Sequence, residues 1–217
     1  MFALVIDTSS AAVTAGVVDL ANGVRVLAQR VTLDARAHGE LLAPSIRASL
    51  DDAGRTVAEL TAVVVGVGPG PFTGLRVGLV SAAAIAHACG IPAYGVCSLD
   101  AIAAATDCDG PLLVAADARR KEVYWASYLA GLRQGEPAVS RAADVVVEVE
   151  AMVGAGARMF ADVFGFPLLQ VDFPTVAGLA AGAADRVRAK APSEPLTPLY
   201  LRRPDAVALG ERKPVTQ

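Results

Sequence analysis

The sequence predicts an α/β fold built from two related halves, and three observations support this prediction. An apolar run that ends in aspartate opens the chain at Leu4–Asp7, and a similar run, Leu112–Asp117, begins near its midpoint. A turn and a returning strand follow each run, which indicates a duplicated domain. Between the two runs, short strands alternate with segments of helical periodicity. We therefore predict two subdomains, residues 1–106 and a shorter 107–217 with an irregular tail, each with a mixed sheet flanked by helices.

The first half contains the clearer patterns. Three antiparallel strands come first and two more follow, at Leu4–Asp7, Ala12–Val18, Val24–Leu33, Ala62–Val67 and Ala93–Cys97. Helices are predicted at His38–Ala53, from Thr73 or Gly74 to Cys89, and at Leu99–Ala105. Pro44 suggests that the regular part of the first helix begins near Leu41. Gly90 should end the second helix, and Thr56 and Glu59 should form a capping box.

The second half is predicted from weaker patterns. Its strands are expected at Leu112–Asp117, Val123–Leu129, Val145–Val149 and Arg158–Ala161. A helix capped by Thr175 should run to about Ala189. From Ala191 the chain is proline-rich, and we expect it to lie across the body of the protein or to fray.

Composition limits the classes of function. A net charge of −3 argues against a chain that grips nucleic acid unaided. The three cysteines, Cys89, Cys97 and Cys108, form no C-x-x-C pair and fit a reducing compartment. No apolar run reaches the length of a membrane span, and the start of the chain looks like a strand instead of a signal peptide. We expect a cytoplasmic protein without a membrane anchor.

The central motif is the glycine loop Gly68-Pro69-Gly70-Pro71, which joins the valine-rich strand to a helix. It lacks the lysine of a P-loop, and its third glycine falls at Gly74, one residue late for the dinucleotide pattern. Two interpretations stay open. The loop is a rigid packing turn, or it presents backbone N–H groups to a ligand.

Two such halves facing across a cleft form the architecture of the actin, Hsp70 and sugar-kinase ATPases. In those proteins the opening hairpins grip phosphates, with Asp7 and Asp117 corresponding to the carboxylates at the cleft. Here Ser9 and Ser10 stand where glycine would be wanted, no lysine is near, and Asp117 could equally be a turn-initiating residue. The residues predicted to face the cleft or a phosphate are Asp7, Thr8, Ser9, Gly68, Gly70, Thr73, Gly74, Asp117 and Arg119.

Five segments together resemble the bacterial TsaB (YeaZ) family: Leu4–Ser9, His38–Pro44, Gly66–Gly78, Gly95–Leu99 and Asp117–Arg120. The similarity is densest over Phe2–Ile102, and the glycine stretch is its most specific part. The resemblance implies an actin-like fold and a role in making threonylcarbamoyladenosine at position 37 of tRNAs that read codons beginning with A. It also implies a non-catalytic subunit that pairs with the catalytic subunit TsaD and helps recruit the ATPase TsaE, with tRNA bound only through the complex.

The residues here allow a test of whether catalysis is plausible. TsaD-like enzymes hold a metal with a His-x-x-x-His pair, and the matching positions in this chain are Ser98 and Ile102, neither of which can replace imidazole. No Gly-x-Ser-x-Gly nucleophile motif is present either. We expect no catalytic site, no metal and no resident cofactor, although ATP could bind within the complex. The alternative is an independent actin-like ATPase or small-molecule kinase.

A partner surface is predicted on the two long helices of the first half. The small stripe of the second helix, Gly78, Ala82 and Ala86, would face the sheet, leaving Leu75 and Leu79 outward. His38 could be structural or face the partner, and Arg119–Lys121 could be a solvated turn or a basic patch for tRNA or ATP phosphates. The predicted interface, which would also form a homodimer of the free chain, comprises His38, Glu40, Leu41, Leu42, Ser45, Ile46, Leu75, Arg76, Leu79 and Ala83.

Overall fold

Two sheets form the framework of the protein, and the computed structural model describes them within residues 1–202. The first sheet has five strands in the order β3-β2-β1-β4-β5. They are β1 Phe2–Asp7, β2 Ala12–Asp19, β3 Arg25–Leu33, β4 Leu60–Gly66 and β5 Ala93–Val96. β1, β2 and β3 are antiparallel neighbours, whereas β4 and β5 run parallel to β1. The carboxyl ends of β1, β4 and β5 therefore meet at one edge of the sheet.

The second sheet has four strands in the order β8-β7-β6-β9. They are β6 Leu112–Asp117, β7 Glu122–Leu129, β8 Leu132–Arg141 and β9 Ala151–Val153. β6, β7 and β8 are antiparallel neighbours, and β9 runs parallel to β6. This sheet repeats the order and directions of the first four strands of the other sheet. The duplicated α/β fold predicted from the two aspartate-ended runs is confirmed.

Helices cover both faces of the first sheet. The helices are α1 His38–Asp52, α2 Phe72–Cys89, α3 Ser98–Ala104, α4 Ala155–Met159, α5 Ala161–Phe164 and α6 Val176–Arg188. Alternate residues of a strand point to opposite faces, so Leu4 and Ile6 pack against α1 and α2 while Ala3 and Val5 pack against α6.

The two cores exchange helices. α3, from the first half of the chain, packs on the second sheet, and Tyr128 of β7 donates a 2.7 Å hydrogen bond to its Asp100. α6, from the second half, covers the first sheet through residues such as Leu179 and Ala183. Residue 106 therefore separates the two sheets but not the two cores. The division into subdomains 1–106 and 107–217 stays a prediction.

Two of the strand predictions for the second half were wrong. Val145–Val149 forms no strand, although Val145, Val147 and Val149 alternate inward and pack beside Trp125. Their period-2 pattern reflects side-chain packing without backbone pairing. Arg158–Ala161 is helical, at the end of α4 and the start of α5. β8 and β9 were not predicted.

The helix-end signals were more reliable. Gly90 takes the left-handed conformation, with φ of 63°, at the end of α2, and Thr56 and Glu59 form the capping box. The side chain of Thr175 accepts a 3.0 Å hydrogen bond from the N–H of Gly178. Pro44 misled the prediction of α1, because the helix begins at His38 and contains this exposed proline.

The segment after Ala191 lies across the first half of the protein as far as the structure describes it. Glu194 N–H donates to the carbonyl of Ala93 over 3.2 Å, and Leu199 N–H donates to the carbonyl of Val67 over 2.8 Å. The rest of the predicted irregular tail, residues 203–217, lies outside the described residues.

α2 corrects the expectation that no apolar run reaches the length of a membrane span. Its 18 residues are long and apolar enough by length and composition alone. Leu75, Leu79 and Ala82 pack against the sheet, but only about a third of the helix is buried, so packing on the sheet accounts for one side of α2.

Candidate functional site

The site lies where β1, β4 and β5 end. Asp7 closes β1, Gly68 follows β4, and Ser98 follows β5. The Ser98 hydroxyl donates to Asp7 Oδ2 over 2.7 Å and accepts from the N–H of Gly68 over 3.2 Å. The N–H of Ser98 in turn donates to the Gly68 carbonyl over 2.7 Å. The ends of the three parallel strands are thus joined by one hydrogen-bonded network.

Asp7 is the buried centre of this network. Its side chain is inaccessible to solvent, and Oδ1 accepts hydrogen bonds from both the N–H and the hydroxyl of Ser9, each at 2.9 Å. Burial raises the pKa of Asp7 above its ordinary value of 3.8, against the opposing effect of the hydrogen bonds from Ser98 and Ser9. A Cβ at Gly66 would lie 1.7 Å from Asp7 Oδ2, so only glycine leaves room for this carboxyl group. Asp7 is not poised to contact a ligand.

Thr8 is also fully engaged. Its hydroxyl donates to the carbonyl of Gly74 over 2.8 Å and accepts from the N–H of Gly78 over 2.9 Å. These two backbone groups are the pair that bond each other in a regular α-helix. Thr8 therefore bridges one turn of α2 and fixes that helix to the end of β1.

The glycine loop packs closely on the first hairpin. A Cβ at Gly70 would lie 2.0 Å from the carbonyl oxygen of Ser9. Gly68 has a φ of 91°, which favours glycine, whereas Gly70 is not among the residues with positive φ. Glycine is thus needed at Gly68 for its positive φ and at Gly70 for the close approach to Ser9. Both requirements are typical of a turn whose role is packing.

A cavity of about 350 Å³ lies beside this network, between the two halves. Of the residues predicted to face the cleft, it is lined by Thr8, Ser9, Thr73, Gly74, Asp117 and Arg119. Asp7, Gly68 and Gly70 do not line it. The apolar part of its wall includes Phe72, Met159 and Phe173.

The polar groups of the cavity are mostly engaged inside the protein. His38 is buried and its Nε2–H donates to the carbonyl of Ser10 over 2.8 Å, which agrees with its structural interpretation. Asp117 Oδ1 accepts from the N–H of Arg119 over 2.7 Å, as a turn-initiating aspartate does. The two predicted cleft carboxylates are therefore not equivalent, because Asp7 is buried and Asp117 stabilises a turn. Within residues 1–202, no group of three His, Cys, Asp or Glu side chains could hold a metal ion.

The predicted orientation of the partner helices was wrong. Leu75 and Leu79 of α2 are 0% and 6% exposed and belong to the core, together with Leu42 and Ile46 of α1. Gly78 and Ala82 are buried as well, so the small stripe does not replace the leucines against the sheet. His38 and Ser45 are likewise buried, and Leu41 is half-buried. The exposed members of the predicted set are Glu40, Arg76 and Ala83.

The outer face of α2 instead presents Val80, which is 66% exposed. Ala83, Ala84 and His87 continue this face, and a groove of about 650 Å³ runs beside it. Sequence periodicity missed Val80 because apolar and small residues occur on every side of this alanine-rich and glycine-rich helix, although the polar residues Arg76 and His87 lie on the same side as Val80. We call Arg76, Val80, Ala83, Ala84 and His87 the outer α2 face.

Comparison with known proteins places the chain in a family. Residues 26–192 match the family described as TsaD, tRNA N6-adenosine threonylcarbamoyltransferase. An uncharacterised protein of Mycobacterium tuberculosis (strain ATCC 25618 / H37Rv) is 54% identical over 95% of this chain and 94% of its own length. The tRNA threonylcarbamoyladenosine biosynthesis protein TsaB of Bacillus subtilis is 34% identical over 59% of this chain and 55% of its own.

A solved Pseudomonas aeruginosa protein, described as similar to the peptidase YeaZ, superposes with a TM-score of 0.77 at 26% identity. The match covers 93% of this chain and 99% of that one. The chain belongs to the TsaB (YeaZ) family. The resemblance carried by the glycine stretch is confirmed.

The wider fold of this TsaB-family chain is actin-like. The activator of 2-hydroxyisocaproyl-CoA dehydratase from Clostridium difficile, solved with bound ADPNP, superposes with a TM-score of 0.53 at 10% identity. That match covers 88% of this chain and 96% of the activator. At this identity the likeness shows the fold alone.

Proposed function

We propose that this TsaB-family chain is a non-catalytic subunit in the biosynthesis of N6-threonylcarbamoyladenosine at position 37 of tRNAs that read codons beginning with A. It pairs with a TsaD-like catalytic subunit and helps recruit a TsaE-like ATPase, it works in the cytoplasm, and on its own it forms a homodimer. The relatives from Bacillus subtilis and Escherichia coli that are named for this biosynthesis support the pathway.

The main support for the proposed role is that the polar residues of the cleft form hydrogen bonds within the protein. Asp7, Thr8 and Ser9 are the residues that a phosphate-binding hairpin would direct at its ligand, and here all three bond within the protein. Ser98 and Ile102, at the positions matched to the metal-binding histidines, are buried. This arrangement favours the role of a subunit that stabilises a complex. It argues against the alternative, an independent actin-like ATPase or kinase.

The outer α2 face supports the pairing with TsaD. Val80 is a large apolar side chain in the middle of the exposed face of α2, flanked by alanines that allow close approach of another helix. Burying such a face against a similar subunit would remove apolar surface from water on both sides. We assign this face to the TsaD-like subunit, which would compete there with a second copy of this chain.

Reconstitution tests the proposal. This chain, the cell's TsaD-like and TsaE-like proteins, tRNA and the threonylcarbamoyl donor are combined, and the modified nucleoside is measured by mass spectrometry. Val80→Glu should reduce both co-purification with the TsaD-like protein and modification, because it places a charge in the interface. Val146→Glu makes the same change at a loop side chain that is 91% exposed, and it should behave as the parent does.

Equal modification with and without this chain would overturn the proposal. Steady ATP turnover by the chain alone, lost on a change within its cleft, would favour the ATPase instead.

A further inference from the structure

The turn between β6 and β7 has an unusual backbone. Arg119, Arg120 and Lys121 follow one another with φ of 63°, 54° and 65°, and the N–H of Glu122 donates to the Arg119 carbonyl over 2.9 Å. Positive φ at both central residues of such a hairpin turn normally selects Asn-Gly. Three cationic residues here occupy a conformation in which glycine would be more stable. Strain of this kind points to a function that requires the side chains.

The surface around the turn carries more positive than negative side chains. Two cavities of about 290 and 400 Å³ flank it, and among the described residues their linings include five cations and no carboxylate. The cations are Arg119, Arg120, Lys121, Arg141 and Arg202. Two of these cations face carboxylates, Arg119 beside Asp117 at 3.6 Å and Arg202 beside Glu122. The Arg119 side chain is nevertheless 60% exposed, and within residues 1–202 the Lys121 ammonium has no ion-pair partner. This concentration of positive charge stands on a chain whose net charge is −3.

Aromatic rings border the same surface. Phe72 and Tyr200 lie at the smaller cavity, 37% and 39% exposed, with ring centroids 5.2 Å apart. The guanidinium of Arg76 covers the Phe72 ring at 4.0 Å, and its Nε–H donates to the Tyr200 hydroxyl over 3.1 Å. Cationic side chains beside exposed rings are the combination that binds the phosphates and bases of unpaired RNA.

We propose that the β6–β7 turn and the groove beside it form an RNA-binding surface of this chain. Arg119 and Lys121 contact backbone phosphates, and the Tyr200 ring, supported by Phe72, stacks on an unpaired base. The inference rests on the proposed function, since that function supplies tRNA as the RNA, and it gives this chain its own contact with the tRNA held by the complex. Because the whole chain is acidic, the surface adds to binding by a partner subunit instead of replacing it.

The proposal is tested by measuring tRNA binding to the complex of this chain with its TsaD-like partner. Fluorescence anisotropy at several salt concentrations is the measurement. Arg119→Ala combined with Lys121→Ala should weaken binding about fivefold or more near 100 mM salt. The slope of log affinity against log salt should fall by about 1 to 2, because one to two phosphate contacts are lost. Arg36→Ala with Lys190→Ala removes two exposed cations elsewhere and should leave both values unchanged.

A second pair of variants separates binding from stability. Lys121→Gly should raise the melting temperature, because glycine accepts the positive φ, and should weaken RNA binding. Ala130→Gly relieves a φ of 49° in the β7–β8 turn and should raise the melting temperature without changing RNA binding. If Lys121→Gly bound RNA as tightly as the parent, the turn would be no RNA contact.

The outcomes distinguish this inference from the proposed function. If the parent complex modifies tRNA while the Arg119 and Lys121 double variant binds tRNA with unchanged affinity and salt slope, the surface is refuted and the proposed function stands. If the parent complex modifies no tRNA, the proposed function fails. The inference is then decided by direct measurement of RNA binding. Equal RNA affinity of the parent and the double variant would refute it, and so would selective binding of an acidic peptide instead of RNA.

Discussion

Ser98 Oγ lies 2.7 Å from Asp7 Oδ2, and the hydrogen bond between them joins the first residue of α3 to the last residue of β1. Both residues sit at the carboxyl edge of the first sheet, where open α/β sheets place their ligands. In this chain the edge is closed by the protein's own side chains.

Asp7→Asn should change how stability depends on pH. Burial raises the pKa of Asp7 in the folded state above its ordinary value of 3.8. The contribution of this carboxyl group to the free energy of unfolding is therefore complete below pH 3.8, and it is lost as the pH rises through the folded-state pKa. Asparagine does not titrate. The free energy of unfolding of Asp7→Asn, minus that of the parent, should therefore increase from about pH 4 upward in urea titrations. Asp185→Asn, at a fully exposed carboxylate, is the matched control, and a pH-independent difference for Asp7→Asn would contradict the prediction.

Thr8→Val should destabilise the protein by about 1–2 kcal/mol, because it removes the hydroxyl that bridges Gly74 and Gly78 while keeping the side-chain shape. Thr8→Ser should recover most of the loss. Thr61→Val, at an exposed hydroxyl that bonds the Phe2 carbonyl, should cost less. Chemical denaturation of the three variants is the measurement, and equal costs for Thr8→Val and Thr61→Val would rule the bridge out.

Gly70→Ala should destabilise the protein by about 2–3 kcal/mol, because the new Cβ would meet the Ser9 carbonyl and force the loop away from the hairpin. Gly39→Ala adds the same methyl group where nothing lies within 4 Å, and it should change stability by less than about 1 kcal/mol. Thermal melting of both variants decides the matter. A Gly70→Ala protein as stable as Gly39→Ala would mean that the loop has room to move.

Leu79→Glu should unfold the protein or cost at least about 3 kcal/mol, since Leu79 is in the core. Val80→Glu, one residue along α2, should leave the melting temperature nearly unchanged and lower the sedimentation coefficient of the free chain from dimer to monomer. The two changes are chemically alike, so the contrast reports burial alone. A folded Leu79→Glu monomer would restore the original prediction of an outward Leu79.

The sequence patterns were most informative where local chemistry determines structure. Gly90, Thr175 and the Thr56–Glu59 box predicted helix ends correctly because each acts through backbone groups within a few residues. β8 was missed because Gly135 and Pro137 interrupt it, which an edge strand tolerates. β9 has only three residues, too few for a pattern to stand out.

The candidate site was predicted in part. The residue types at Asp7, Thr8 and the glycine loop correctly marked the edge of the sheet where the cavity lies. Their partners could not be deduced, because Ser98 is 91 residues from Asp7 and Gly78 is 70 residues from Thr8. The orientation of α2 also depended on tertiary packing. Small and large residues occur among both the buried and the exposed positions, so residue size did not identify the exposed side around Val80. The polar residues Arg76 and His87 on that side were the available signal, but Arg76 was grouped with Leu75 and Leu79.

The exchange of α3 and α6 between the two cores has a consequence for how the chain can be divided. A polypeptide ending at residue 106 would carry the first sheet without α6, leaving Ala3, Val5 and Val64 uncovered. The complementary fragment would carry the second sheet without α3. Each piece would be an aggregation hazard alone, yet each holds the helix the other needs. Co-expressed halves would therefore assemble as an obligate pair, which makes residues 105–110 a natural place to split this protein for a two-hybrid or fragment-complementation reporter.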